Sequence, residues 1–280
     1  MEAKKLVLGL PNGSLFEPTI TLFKRVGITI RVRGRNFMAD IRGAGLFEKA
    51  LIMRPQDIPE AIVDGVIDAG ICGWDCVVEA GLEGKILRIV ELPYGKNSKS
   101  PVQVVAFGKS ERLIDEAGIL VAAEYPRLAK RVFKEAGIRF SHGTTEAKVA
   151  YGRYDYGVGV VETGRSLADN GLNIVATLLV SPTVLVAKEK SLEIECFGQF
   201  LKGGLEAENY RLLKMDADSE AKEKIIRILP AIQAPTVSGL SDGKFAIETV
   251  VRREEVFNLI FRLQNLGARG ILVQEINVLL

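Results

Sequence analysis

Residues 156–167 read Tyr156-Gly157-Val158-Gly159-Val160-Val161-Glu162-Thr163-Gly164-Arg165-Ser166-Leu167. Small and β-branched residues form a buried-type strand, a polar Glu-Thr-Gly step interrupts it, and a helix to about Asn170 follows. A Thr-Gly-x-Ser step at a helix start presents unpaired backbone N–H groups and two hydroxyls, a combination suited to a phosphate dianion. Arg165 adds positive charge there. The same residues also suit a plain N-cap by Thr163 followed by a glycine turn.

This strand-turn-helix unit recurs in both directions, which marks an α/β architecture. Upstream, strands are predicted over residues 5–10, 28–32, 50–53, 68–72, 86–91, 102–107 and 118–122, and helices over 58–64, 127–135 and 146–152. Pro11-Asn12-Gly13 is a turn, and Ser14 with Glu17 three residues on reads as a capping box opening an amphipathic helix through Val26. Residues 34–48, with Gly34, Gly43 and Gly45, read as an irregular loop or loose hairpin. Downstream, 173–180 and 183–187 are strand-like runs separated by Ser181-Pro182, and a polar helix from Ser191 to about Glu208 reads as a connector. The pattern then restarts as strand 210–215, helix 219–229, strands 234–238 and 245–251, helix 253–266 and strand 270–276. That βαββαβ order is the ferredoxin-like unit. Few acid-base candidates lie in it, so an accessory or regulatory role is expected of this module.

Composition narrows the classes further. The chain has 280 residues, 48% apolar and 26% charged, and 37 basic against 35 acidic side chains leave a net charge of +2. That supports about two domains with real cores and excludes a disordered chain. It also argues against wrapping duplex nucleic acid, which calls for a strong basic excess. Apolar runs fall well short of the roughly 20 residues of a membrane helix. The first residues run straight into a strand without a cleavage pattern, so a cytosolic location is expected. Cys72, Cys76 and Cys196 are too few for a disulfide framework; Cys72 and Cys76 read as packed thiols rather than half of a metal site. The single histidine, His142, excludes any chemistry that needs two imidazoles.

Other candidate residues fall at strand C-terminal ends, where open α/β sheets bind ligands. Gly73, in Asp68-Ala69-Gly70-Ile71-Cys72-Gly73-Trp74-Asp75, either admits a ligand to the backbone or simply turns strand into helix, capped by Asp75. Arg54, in Arg54-Pro55-Gln56-Asp57-Ile58-Pro59, either forks onto phosphate oxygens or is a solvated surface group. Glu146, in Gly143-Thr144-Thr145-Glu146, either holds sugar hydroxyls or favours its helix start through the macrodipole. His142 beside it is more in keeping with a loop histidine than a ligand contact. The Lys96-Asn97-Ser98-Lys99 cluster either faces an anion or is a solvated turn.

Taken together, Pro11 to Leu15, Arg54 to Pro59, Asp68 to Asp75, Gly143 to Glu146 and Glu162 to Leu167 resemble, in order, the motifs of the ATP phosphoribosyltransferase family. Ala234 to Asp242 and Gly267 to Leu272 resemble the regulatory domain of its long form. The resemblance covers essentially the whole chain. It implies two α/β lobes like those of type II periplasmic binding proteins, with the chain crossing between them twice, and a ferredoxin-like domain that binds histidine. The expected boundaries are 1–98 with a return segment 181–190 for the first lobe, 99–180 for the second, 191–208 for the connector and 209–280 for the regulatory domain.

The resemblance further implies transfer of the phosphoribosyl group of 5-phosphoribosyl 1-pyrophosphate to adenine N1 of ATP, with release of pyrophosphate. This is the first step of histidine biosynthesis, feedback-inhibited by histidine and supported by Mg²⁺, in a homo-oligomer built from dimers into hexamers. Carried over by motif, Thr163, Gly164, Arg165, Ser166 and Leu167 would cradle the 5-phosphate, with Asp155 and Glu162 beside them. Glu146 would lie near the ribose, Arg54 and Gly13 near the pyrophosphate, and Asp68, Gly73 and Asp75 in the nucleotide cleft. Asp216, Thr236, Val251, Ala268 and Gly270 would surround the effector; the metal ligands are not assigned. Two positions depart from the family pattern: Asn12 stands where many members carry Lys, with Lys96 or Arg35 as substitutes, and Gly159 stands where an acidic residue is usual. These departures support an alternative, a non-catalytic ligand-sensing relative of the same fold. A solute-binding protein of the same lobe architecture is the third reading.

Overall fold

The computed structural model describes residues 5–32, 37–95, 100–162, 164–230 and 234–280. The chain divides into two compact units, Met1–Gln199 and Phe200–Leu280.

The first unit holds two sheets. Strands β1 (Leu6–Pro11), β2 (Thr29–Val32), β3 (Met38–Arg42), β4 (Phe47–Met53), β5 (Ala69–Gly73) and β6 (Leu87–Leu92) build the first, with helices α1 (Phe16–Arg25), α2 (Ile58–Val63) and α3 (Trp74–Ala80) between them. The second contains β7 (Val102–Gly108), β8 (Leu120–Ala123), β9 (Gly137–Phe140), β10 (Tyr156–Val161) and β11 (Asn173–Ser181), with α4 (Pro126–Val132), α5 (Thr145–Ala150) and α6 (Arg165–Asp169). β12 (Thr183–Ala187) returns to the first sheet. The sheet orders are β2-β3-β4-β1-β5-β12-β6 and β11-β7-β10-β8-β9. The chain therefore crosses between the lobes twice, from β6 to β7 and from β11 to β12.

Parallel pairing of β1 with β4 and β5, and of β8 with β9 and β10, places these strands' C-terminal ends at one edge of each sheet. Strands covered on both faces read as near-continuous apolar runs. Val184, Leu185, Val186 and Ala187 of β12 are accordingly all fully buried. Val104 and Val158 join Leu128 and Phe133 of the α4 region in the core of the second lobe.

Of the two readings of residues 34–48, the hairpin holds: β3 forms inside them and pairs antiparallel with both β2 and β4. Two local expectations are corrected. Ser14 does not cap α1, because Gly13 at φ +70° winds residues 13–15 into a 3-10 turn that places Ser14 inside the first turn, with no side-chain capping bond. The helix α7 (Leu192–Glu206) is not a polar connector, since Ile194, Phe197, Leu201 and Leu205 are buried. The Phe197 ring meets Phe47 edge-on at 4.9 Å, and the boundary between the two units falls within this helix, after Gln199.

The second unit has β13 (Tyr210–Ala217), α8 (Ser219–Ile228), β14 (Thr236–Gly239), β15 (Phe245–Arg252), α9 (Val256–Asn265) and β16 (Arg269–Glu275). Its sheet order, β14-β15-β13-β16, is antiparallel throughout and is the ferredoxin-like arrangement. Leu213, Met215, Ile247 and Val251 face Ile225 of α8 and Leu259 and Leu263 of α9. The opposite face carries the alternate positions Lys214, Asp216 and Glu248. No helix among the described residues is long and apolar enough to cross a membrane.

Candidate active site

A cavity of about 240 Å³ opens where the two lobes of the first unit meet, and it is lined from both sides. Ser14, Pro55, Gln56, Gly73, Asp75 and Tyr94 contribute from the first lobe, Glu124, Tyr125, Val160 and Glu162 from the second, and Ser181 and Thr183 from the crossover between β11 and β12. Most of these residues stand at or just after strand C-terminal ends, the position to which the sequence motifs had been assigned, whereas Thr183 begins β12.

Asp75 is the polar centre of this cavity. Its carboxylate is buried, with Oδ1 accepting from the Ser181 hydroxyl and Oδ2 from the Tyr125 hydroxyl at 2.7 Å. The Ser181 oxygen in turn accepts from the Asp75 amide at 2.8 Å, which satisfies a first-turn N–H of α3. One side chain thus joins α3, the start of α4 and the crossover at Ser181. Burial, then the Asp75 charge, push the Tyr125 phenol far above its ordinary range, so it remains a donor. Burial and Asp75 act in the same order on the Cys72 and Cys76 thiols, raising both. These two thiols are packed, whereas Cys196 is exposed. Glu79 of α3 reinforces the junction by accepting from the Arg127 and Leu128 amides at 2.7 and 2.9 Å, an acidic cap on α4 from the neighbouring lobe.

Gly73 has a reason different from the one read in sequence. A Cβ placed on it would lie 2.1 Å from Asp75 Oδ1, so the glycine makes room for the protein's own carboxylate and not for a ligand. Arg54 is exposed and directly precedes the lining residues Pro55 and Gln56; Gly13 precedes Ser14 in the same way. Glu162 lines the cavity, and α6 starts just beyond it with Gly164 in the left-handed conformation at φ +69°. The first intrahelical bond of α6 runs from the Ala168 amide to the Gly164 carbonyl at 3.1 Å, so the amides of 165–167 lie ahead of the helical ladder. Arg165 and Ser166 are exposed and Leu167 is buried. Thr163, Lys96 and Arg35 lie outside the described residues. Among the described residues, no group of three or more His, Cys, Asp or Glu side chains is placed to hold a metal.

Two carboxylates are misplaced by the sequence reading. Asp68 precedes β5 and accepts from the Val7 amide at 2.8 Å; Asp155 precedes β10 and accepts from the Leu120 amide at 2.8 Å. Each ties the start of its strand to the parallel neighbour. In β10 that is a strand's length, roughly 20 Å, from the cavity edge. Both are structural.

The turn at residues 141–146 is closely braced. Thr144, at φ +52°, is the non-glycine residue in the left-handed region among those described, and Lys148 Nζ donates to Ser141 Oγ at 2.7 Å and to the Gly143 carbonyl at 2.9 Å. Thr145 Oγ1 donates to Glu124 Oε1 at 2.6 Å. His142 is exposed and lies edge-on to Phe140 at 4.6 Å between ring centres. Glu124, Tyr125 and Ser181 were not among the sequence candidates; the only local signal was Glu-Tyr-Pro directly after a buried strand.

Comparison with known proteins decides the family. The model of the ATP phosphoribosyltransferase family matches residues 54–203, and that of the HisG C-terminal domain matches 207–278. The chain belongs to the ATP phosphoribosyltransferase family. An ATP phosphoribosyltransferase of Nitratidesulfovibrio vulgaris (strain DSM 19637 / Miyazaki F) is 36% identical, over 97% of both chains. One from Geotalea daltonii is 35% identical, over 97% of this chain and 98% of the relative. Among solved structures, the ATP phosphoribosyl transferase (HisG:HisZ) complex from Thermotoga maritima is 27% identical with a TM-score of 0.56, covering 65% of this chain and 87% of that one.

For this member of the ATP phosphoribosyltransferase family, the expected effector residues separate into two groups. Asp216 and Thr236 lie on the outward face of the terminal sheet, and a Cβ on Gly270 would lie 3.5 Å from Asp216 Oδ2. Gly270, at φ +57°, sits in a bulge where β16 carries one extra residue opposite β13. Val251 is excluded from this surface, being buried against α8 and α9 and paired with Arg211 at the far end of β15. Ala268 packs in the same core. Strand alternation explains Val251, which has the opposite parity to the outward residues, whereas Ala268 precedes β16.

Proposed function

We propose that the chain transfers the phosphoribosyl group of 5-phosphoribosyl 1-pyrophosphate to N1 of the ATP adenine, opening histidine biosynthesis in the cytoplasm. The observation that carries this reading is the family match along nearly the whole chain, both family models included, combined with a cavity lined from both lobes, Glu162 among its residues. The adenine N1 lone pair attacks C1 of the ribose while the C1–O bond to pyrophosphate breaks, and its electron pair leaves with the pyrophosphate. The lone pair is free at neutral pH, so no base is needed to prepare the nucleophile. The requirements are alignment of two anionic substrates and stabilisation of the leaving group.

In this reading the 5-phosphate rests on residues 163–167, Arg54 and Gly13 face the pyrophosphate, and Glu146 lies near the ribose. Mg²⁺ carried on substrate phosphate oxygens needs only one or two protein carboxylates, and Glu162 on the cavity wall is suited to that. The metal would neutralise charge on the departing pyrophosphate. The test is incubation with ATP, the donor, Mg²⁺ and pyrophosphatase while following the N1-substituted adenine chromophore. Steady formation supports the transferase; binding of nucleotide or histidine without turnover supports a ligand-sensing relative.

Histidine is the inhibitor in this reading, bound on the outward face of the terminal sheet by Asp216 with Thr236 and Gly270 beside it, and the enzyme works as dimers assembled into hexamers. Asp216→Ala is expected to raise the histidine concentration for half-inhibition about tenfold or more while leaving uninhibited turnover within about twofold. Inhibition at an unchanged concentration would place the effector elsewhere.

A further inference from the structure

We infer that Glu124 is a substrate-binding residue whose carboxylate accepts hydrogen bonds from the ribose hydroxyls of the phosphoribosyl donor, the C2 hydroxyl among them. This rests on the transferase reading. Glu124 follows β8 directly, its amide donating to the Val158 carbonyl at 2.9 Å, so its backbone is held at the C-terminal edge of the second sheet. Its half-buried side chain lines the cavity, as Glu162 does, whereas Glu146 and Asp155 are not among the lining residues.

The side chain is oriented on one oxygen only. Oε1 accepts from Thr145 Oγ1, which is itself tied to Ser141 Oγ at 2.8 Å, and Lys148 Nζ donates to that same serine. Among the described residues Oε2 takes part in no hydrogen bond, leaving a carboxyl oxygen of this cavity-lining residue to accept from donors such as hydroxyls. Glu79, by comparison, engages both of its oxygens with the Arg127 and Leu128 amides.

Gly159 strengthens the assignment. A Cβ there would lie 3.5 Å from Glu124 Oε1 and 3.7 Å from the Phe107 ring, ordinary contacts, so nothing steric requires a glycine at this point of β10. Residue 159 thus borders the Glu124 carboxylate at ordinary contact distance. A carboxylate at residue 159 would occupy the neighbourhood that Glu124 now fills.

The test pairs a missing hydroxyl on the ligand with a missing charge on the protein. Binding of ribose 5-phosphate and of 2-deoxyribose 5-phosphate is measured by calorimetry on the full-length parent, on Glu124→Gln and on Thr145→Val. A charge-assisted hydrogen bond predicts that the parent prefers the ribose form by about tenfold or more, and that Glu124→Gln reduces the preference to within about twofold. Thr145→Val, which keeps the carboxylate but removes its orienting donor, should lose part of the preference, and it keeps the test available if the glutamine variant fails to fold. Adding Gly159→Asp to Glu124→Gln should recover part of it. An unchanged preference in Glu124→Gln, or in Thr145→Val if that is the variant that folds, overturns the role of Glu124 while the parent's turnover leaves the transferase reading intact. A parent without turnover overturns that reading, and a parent without a preference for the ribose form overturns this one.

Discussion

An Asp75→Ala variant is expected to lose about 2–3 kcal/mol of stability in the first unit, seen as a lower urea midpoint. The substitution leaves the Tyr125 and Ser181 hydroxyls without the acceptor they now share. Each buried polar group left unpaired costs about 1–3 kcal/mol, and release of the desolvation cost of the carboxylate offsets part of the sum. Trp74 is the chain's single tryptophan and lies in the same turn of α3, so its fluorescence reports this unit without interference from the terminal one. Gly73→Ala should act in the same direction, because the added methyl meets a carboxylate pinned by two hydroxyls. A midpoint equal to the parent's would show that the Asp75 junction does not hold the lobes together.

The larger effect on catalysis is expected from Arg54→Ala, with kcat/KM falling by about 100-fold or more. Arg54 is exposed beside two cavity-lining residues and its side chain makes no hydrogen bond among the described residues, so its guanidinium is available to the leaving group. Stabilising charge that develops as the C1–O bond breaks acts on kcat, and loss of one such donor is worth about 10²–10³. Arg54→Lys restores the charge but not the planar fork, so only partial recovery is expected. A rise in KM with kcat unchanged would mean that Arg54 holds the donor equally well before and during reaction. An effect below about threefold would remove it from the site.

Residues whose placement depends on short-range pattern were legible in the sequence. The apolar run at 156–161, the Gly164 turn and the helix beyond it stand where the sequence put them. So does the βαββαβ order of the terminal module, since alternation and helical periodicity are local properties. The failures are also physical. Sequence left both a loop and a hairpin open at residues 34–48, and only pairing of β3 with β2 and β4 decided for the hairpin. Asp68 and Asp155 belong to motifs that also carry cavity residues, yet a strand separates the two ends of each motif. Val251 was assigned by motif to a surface that its strand parity denies it.

Composition, periodicity and motif order by themselves determined the α/β class, the ferredoxin-like terminal module and the family. Only tertiary structure decided which polar groups share the cavity. Tyr125 and Ser181 reach Asp75 across 50 and 106 residues of chain, and Glu124 reaches Thr145 across 21. A buried hydroxyl or carboxylate must find a partner wherever the folded chain brings one, and that choice depends on how two sheets meet, which no local window of sequence contains.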